Sequence, residues 1–137
     1  MDLVNNSKYN IILGSGSSRR RELLGMTGIN FSVISIPVDE SFPDSLKGSE
    51  ISEYIVKNKS DAFNKSIKKN EIIITADTLV WFENKCLGKP KDKDEAKYML
   101  KLFAGKSHDV ITSVGFLTMN NFKILTESTT VTYKNLS

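Results

Sequence analysis

All three arginines of the 137-residue chain stand side by side, Arg19, Arg20 and Arg21, while sixteen lysines are spread over the rest. Guanidinium is planar, permanently charged and forked, which suits bidentate contact with phosphate oxygens. The triplet follows an apolar run, Asn10-Ile11-Ile12-Leu13, and a small-residue turn, Gly14-Ser15-Gly16-Ser17-Ser18, and leads into Arg21-Glu22-Leu23-Leu24. Strand, Gly/Ser loop and helix N-terminus outline an anion site, because free amides and the helix dipole favour negative charge there. That dipole repels arginine. A solvated basic helix start is the competing reading, but an anion that offsets the repulsion accounts better for the placement.

Other residues have the type but not yet the context. Asp77-Thr78 follows Ile72-Ile73-Ile74, and a carboxylate at the end of a buried strand usually points into the ligand crevice of an α/β protein. There it could hold a divalent metal, or orient and deprotonate a water. An Asp-Thr pair also ends strands by bonding its own backbone, and the local sequence leaves both readings open. Lys89 lies between Gly88 and Pro90, where proline limits it to extended geometry. It is either held toward a phosphate or is an ordinary turn lysine, the default for solvated charge. Asp39-Glu40 could ligate magnesium through its waters or be a solvated acidic loop. Lys59 carries no signal by itself. His108 reads as a hydrogen-bonded structural residue. Of Trp81 and Phe82, alternation turns one inward and one outward, and core is a better reading than a base-stacking shelf. Gly14-Ser15-Gly16 lacks the third glycine of a dinucleotide fingerprint, Arg19 standing in its place, and no Gly-Lys-Ser/Thr follows, so neither that cofactor nor a P-loop is supported.

The elements that must position these residues are legible in outline. Residues 9–13 read as a strand. A helix follows over 18–27, capped by Ser17 or Ser18 with Gly28 beyond its end. Residues 31–36 alternate as a strand, Pro37 to Gly48 is a loop, and 49–67 is a long helical pattern with Ile51, Ile55, Ala62 and Phe63 on one face. A strand is expected at 71–75, then a hairpin of 79–82 and 85–87 around Glu83-Asn84. Helix 92–104 is the clearest, with a capping box at Asp92 and Glu95 and Gly105 at its end. Strands at about 109–118 and 122–134 close the chain. The expected class is α/β, a single domain over 1–137 with a mixed, twisted sheet and flanking helices.

Composition narrows the function. Hydrophobic content of 39% and charged content of 26% suit a globular chain. No run reaches membrane-span length, and the N-terminus lacks the basic and apolar regions of a signal peptide, so a cytoplasmic location and no membrane partner are expected. One cysteine, Cys86, excludes an internal disulfide, and one histidine beside it makes structural zinc improbable. The net charge of +3 agrees with anionic ligands without demanding nucleic acid. The richness in Lys, Asn and Ile looks like a genomic bias, which lowers the meaning of any one lysine.

In order, these pieces resemble the Maf family, the septum-formation-protein-like nucleoside triphosphate pyrophosphatases of the Maf/ITPase-like fold. Ile12 through Leu24 is similar to that family's signature loop and helix, with Ser18 where proline is usual. Val38-Asp39-Glu40 is similar to its acidic pair, and Lys59-Ser60-Asp61-Ala62 to a Lys-Ala segment, Ser60 departing from alanine. Ala76-Asp77-Thr78-Leu79-Val80, Cys86-Leu87-Gly88-Lys89-Pro90 and Glu95 through Thr112 complete the set.

The resemblance implies hydrolysis between the α- and β-phosphates of a pyrimidine or modified nucleoside triphosphate, giving a nucleoside monophosphate and diphosphate with a divalent cation, Mg2+ or Mn2+. Carried over residue by residue, Ser15, Ser17, Arg19 and Arg20 would cradle phosphate and Lys59 and Lys89 would balance its charge. Asp39 and Asp77 would serve the metal and the attacking water, with Asp77 the base. Family members continue past the position of Ser137 with a further helix, a glycine-rich segment and closing strands, so a C-terminally shortened domain is expected. Its edge would be covered by a homodimer or a larger assembly. The alternative is a shortened, non-catalytic nucleotide-binding or interaction module docking on an assembly such as a ribonucleoprotein.

Overall fold

The computed structural model describes residues 9–87 and 91–134. In chain order the elements are β1 (Asn10–Leu13), α1 (Ser18–Gly25), β2 (Phe31–Val33), α2 (Ser49–Asp61), β3 (Glu71–Phe82), β4 (Lys85–Leu87), α3 (Lys93–Phe103), β5 (Ser107–Leu117) and β6 (Phe122–Thr132). The six strands form one mixed sheet in the order β2-β1-β3-β5-β6, with β4 folded back on the end of β3. β1 is parallel to both β2 and β3, whereas β3, β5 and β6 run antiparallel. The chain steps from β1 to β2 on one side, and α2 returns it to β3 on the other. The C-terminal end of β1 is therefore the point where strand order reverses, and open α/β sheets bind ligands at such points.

α2 covers one face of the sheet. Its Ile51 and Ile55 pack with Leu79 and Ile111. Beyond its end, Phe63 joins Ile12, Ile73 and Leu117. The helix sits close because Gly115 of β5 has no side chain: a Cβ there would stand 2.6 Å from Val56 Cγ1. The opposite face carries Ile72, Ile74, Val80, Val110, Val114 and Phe116, all only half-buried. Toward its far end, Phe103 of α3 meets Phe82 edge-on at 5.0 Å and stacks on His108 at 4.4 Å.

Four expectations change. The helix over 49–67 ends at Asp61, because the chain tightens into turns from Ser60 onward, Phe63 N donating to Ser60 O, and so swings Phe63 and Ile67 into the core. The strand expected to stop at Thr75 continues unbroken to Phe82, because β5 pairs with it from Ile73 to Trp81. The strand expected over 31–36 stops at Val33, and that over 122–134 at Thr132. The ring of His108 is buried and stacks on Phe103 and Tyr133, and its Nδ1 has no hydrogen-bond partner among the described residues. The hairpin turn forms as expected, with Glu83 and Asn84 both at positive φ.

Candidate active site

The site begins with a backbone carbonyl that has lost its strand partner. Along the β1 side of β3, the carbonyl of Ile74 accepts from the amide of Gly14 at 2.8 Å. Two residues on, the Ala76 carbonyl points the same way, but β1 has ended. A buried carbonyl needs a donor, and two cations supply it. Arg20 Nη1 and Lys59 Nζ each donate to Ala76 O at 3.0 Å. Arg20 also reaches Thr78 Oγ1 at 3.5 Å. Lys59 also lies 3.8 Å from Asp77 Oδ1 and 3.4 Å from Glu40 Oε1. Strand alternation puts Thr78 and Asp77 on opposite faces, so the cations close on the carbonyl from both sides of the sheet.

Asp77 is thus in mid-strand rather than at a strand end, and the crevice it faces is created by the shortness of β1. Its residue exposure is 8%, and Lys59, 17% exposed at its side chain, gives it a counter-charge. The carboxylate is felt by Cys86: burial first, and Asp77 second, push that thiol above its ordinary value.

The loop after β1 is pre-organised by its own serines. Ser15, buried, accepts from the amide of Ser17 at 3.2 Å. Ser17 caps α1, its hydroxyl accepting from the amide of Arg20 at 3.3 Å. Gly14 is required because a Cβ would come within 2.8 Å of the Phe63 ring. The loop, Val38, Glu40 and Lys59 line a cleft of about 260 Å³. The expected residues therefore separate. Ser15, Ser17, Arg20, Lys59 and Asp77 come together. Arg19 points outward, its side chain 75% exposed and 3.9 Å from Glu22. Asp39 also stays outside: it is exposed, and its Oδ1 accepts from the Ser41 amide at 2.9 Å. That amide, and then the Ser41 hydroxyl, hold the Asp39 carboxyl below its usual range. Its neighbour Glu40 is the acidic residue that reaches Lys59. Lys89 lies outside the described residues.

Two carboxylates on one ammonium, Glu40 and Asp77, suit a hard divalent cation completed by water and phosphate oxygens, because magnesium is commonly held by one or two carboxylates plus substrate. Among the described residues no group of three or more His, Cys, Asp or Glu forms an all-protein metal cage. No helix among them is long and apolar enough to cross a membrane.

A family profile described as Maf-like protein matches residues 10–137. The dTTP/UTP pyrophosphatase of Flavobacterium johnsoniae is 43% identical over 130 residues, covering 95% of this chain and 67% of the relative. That of Bacteroides thetaiotaomicron is 44% identical over 136 residues, covering 98% and 70%. That of Flavobacterium psychrophilum is 44% identical over 127 residues, covering 93% and 65%. The chain thus spans about two thirds of the length of these curated relatives. Among solved structures, the Staphylococcus aureus Ham1 protein matches with a TM-score of 0.62 at 15% identity, over 88% of this chain and 70% of that one. A nucleoside-triphosphatase / dITP/XTP pyrophosphatase from Mycobacterium abscessus matches with a TM-score of 0.59 at 11% identity, over 90% and 73%. At such identities these likenesses establish the mixed α/β fold.

Proposed function

The chain belongs to the Maf family, and from that premise we propose that it is a metal-dependent pyrophosphatase of pyrimidine nucleoside triphosphates. The observation that carries the reading is the convergence of Arg20 and Lys59 on one carbonyl next to Asp77. The relatives named as dTTP/UTP pyrophosphatases support the substrate class. In the proposed reaction, water oxygen attacks the α-phosphorus. The bond to the α–β bridging oxygen breaks, and nucleoside monophosphate and diphosphate leave. Asp77 orients that water and takes its proton. Arg20 and Lys59 neutralise the triphosphate, Lys89 and Arg19 are proposed to add positive charge, and Ser15 and Ser17 shape the phosphate loop. Glu40 and Asp77 hold the divalent cation, Mg2+ or Mn2+, and Asp39 anchors the turn that presents Glu40. When bound, that cation supplies Lewis-acid charge stabilisation and a template for the phosphate oxygens.

A cytoplasmic location suits nucleotide substrates. A homodimer or larger assembly is proposed to cover the outer edge of the sheet, where β6 lies. A second reading, a non-catalytic nucleotide-binding module docking on an assembly such as a ribonucleoprotein, rests on the same donors, because Arg20 and Lys59 at the Ala76 carbonyl suit anion binding without turnover. Diphosphate release from dTTP, UTP, CTP and purine triphosphates with magnesium or manganese separates the two. Release from pyrimidine triphosphates supports the enzyme. Nucleotide binding with no release under any metal overturns it in favour of the module.

A further inference from the structure

One buried side chain behind the cleft bonds to α2 and stands against two glycines, Gly14 of the loop and Gly115 of β5, and it is not one of the charged ones. Thr75 of β3 is fully buried, as is Ser60 of α2, and their hydroxyls are 2.7 Å apart. Ser60 directly follows Lys59, and Thr75 directly precedes Ala76 and Asp77. The bond therefore ties α2 to β3 at the level where Lys59 meets its carbonyl. Two carbons in the same place would stand about 3.5–4.0 Å apart, so the hydroxyl pair seats the helix deeper than apolar packing would. The surroundings are cut to this threonine. Gly115, its register partner in β5, has no side chain, and a Cβ there would come within 3.0 Å of Thr75 Oγ1. Gly14 opens the phosphate loop, and a Cβ there would come within 3.2 Å of Thr75 Cγ2.

We propose that Thr75 is a positioning residue: its hydroxyl, through Ser60, sets where the Lys59 ammonium stands between Ala76, Asp77 and Glu40. The assignment of Lys59 to phosphate rests on the proposed function; the positioning of its ammonium does not. A buried hydroxyl pair that only stabilised the fold would leave Lys59 in place once the protein was folded.

The test uses the whole chain and the side-chain ammonium NMR signals of its lysines, with the Lys59 signal identified by its loss in Lys59→Arg. Thr75→Val keeps the shape and removes the hydroxyl; Thr75→Ser keeps the hydroxyl. In folded Thr75→Val, the Lys59 signal is expected to shift or broaden, and the dissociation constant for inorganic diphosphate, read by calorimetry, to rise about tenfold. The kcat for diphosphate release is expected to fall by about 10–100-fold with little change in KM, as misplacement of order 1 Å does. Thr75→Ser is expected to restore all three. A folded Thr75→Val with the parental Lys59 signal and diphosphate affinity overturns the proposal, as does a Thr75→Ser as impaired as Thr75→Val. If Thr75→Val does not fold, Ser60→Ala removes the same bond without adding volume, and a parental Lys59 signal there is equally decisive. If the parent releases no diphosphate, the enzymatic reading fails, while the Lys59 signal still decides the positioning.

Discussion

The Arg20 guanidinium and the Lys59 ammonium share a single acceptor, the Ala76 carbonyl, each at 3.0 Å. Two like charges meeting on one neutral oxygen repel each other, and in a half-buried site that repulsion is weakly screened. Asp77 and Glu40 offset part of it from the Lys59 side. On the proposed function, an anion bound beside the two cations would offset the rest.

Arg20→Ala is expected to weaken nucleotide or diphosphate binding by about 1.5–3 kcal/mol, the range for a hydrogen bond to a charged group. Arg20→Lys is expected to recover only part, because the fork that spans Ala76 and Thr78 is lost. Arg19→Ala is expected to cost less, since its side chain stands in solvent. Calorimetric titration of the three variants checks the order, and equal losses at both positions would contradict this division of labour.

Which residues could do chemistry was legible in the sequence; how they meet was not. Arg19 to Arg21 stood out by rarity, and the capped helix at Asp92, whose side chain accepts from the Glu95 amide at 2.8 Å, was plain from spacing. Asp77 was found as a residue but placed at a strand end, because what ends there is β1, and the length of a neighbouring strand is not a local property. The choice of Glu40 over Asp39 turns on a single amide, that of Ser41. Gly115 and Thr75 left no mark, because their pairing is a matter of register between strands far apart in sequence.

Asp77→Asn is expected to lower the rate of diphosphate release by about 10²–10⁴-fold while nucleotide affinity changes little. The amide keeps the shape but accepts a proton poorly and holds a metal weakly. Raising the cation concentration separates the roles: a lost ligand is partly offset by excess metal, whereas a lost base is not.

Cys86 offers a reporter of the Asp77 charge. Burial first and the Asp77 carboxylate second raise its pKa above the ordinary 9.0. Its neutral form is thus favoured in the fold, a contribution to stability that is complete below the unfolded value and is lost as pH rises through the raised one. Alkylation by iodoacetamide is expected to accelerate with pH at a midpoint above that of a free thiol, and Asp77→Asn to move that midpoint down. A midpoint unmoved by Asp77→Asn would remove the carboxylate from the thiol's surroundings.

Gly115→Ala is expected to destabilise the fold by about 1–3 kcal/mol through overpacking. Its Cβ would sit 2.6 Å from Val56 Cγ1 and 3.0 Å from Thr75 Oγ1, and Val56 is fully buried with no room to retreat. A thermal melt measures it, and an unchanged or higher melting temperature would show that α2 can lift off the sheet without loss.

The acidic pair yields the sharpest separation, because the two side chains are adjacent in sequence and both exposed, yet differ in partner. Glu40 Oε1 lies 3.4 Å from Lys59, whose ammonium also approaches Asp77. Asp39 lies outside, its Oδ1 taken by the Ser41 amide. If a divalent cation is held between Glu40 and Asp77, Glu40→Gln removes one of two protein charges on it. The cation concentration giving half-maximal diphosphate release is then expected to rise about tenfold or more, in line with the loss typical when even an outer partner of a metal ligand is removed. Asp39→Asn keeps an oxygen for the Ser41 amide and is expected to leave that concentration near the parental value. Removing the turn's anchor altogether with Asp39→Ala is expected to raise it modestly, because Glu40 is then less well presented. Manganese titrations of the three variants, read by diphosphate release, check the order. If Asp39→Asn proves the most metal-dependent of the three, the cation sits on the outer carboxylate, and the cleft between Lys59 and Asp77 is reserved for phosphate alone.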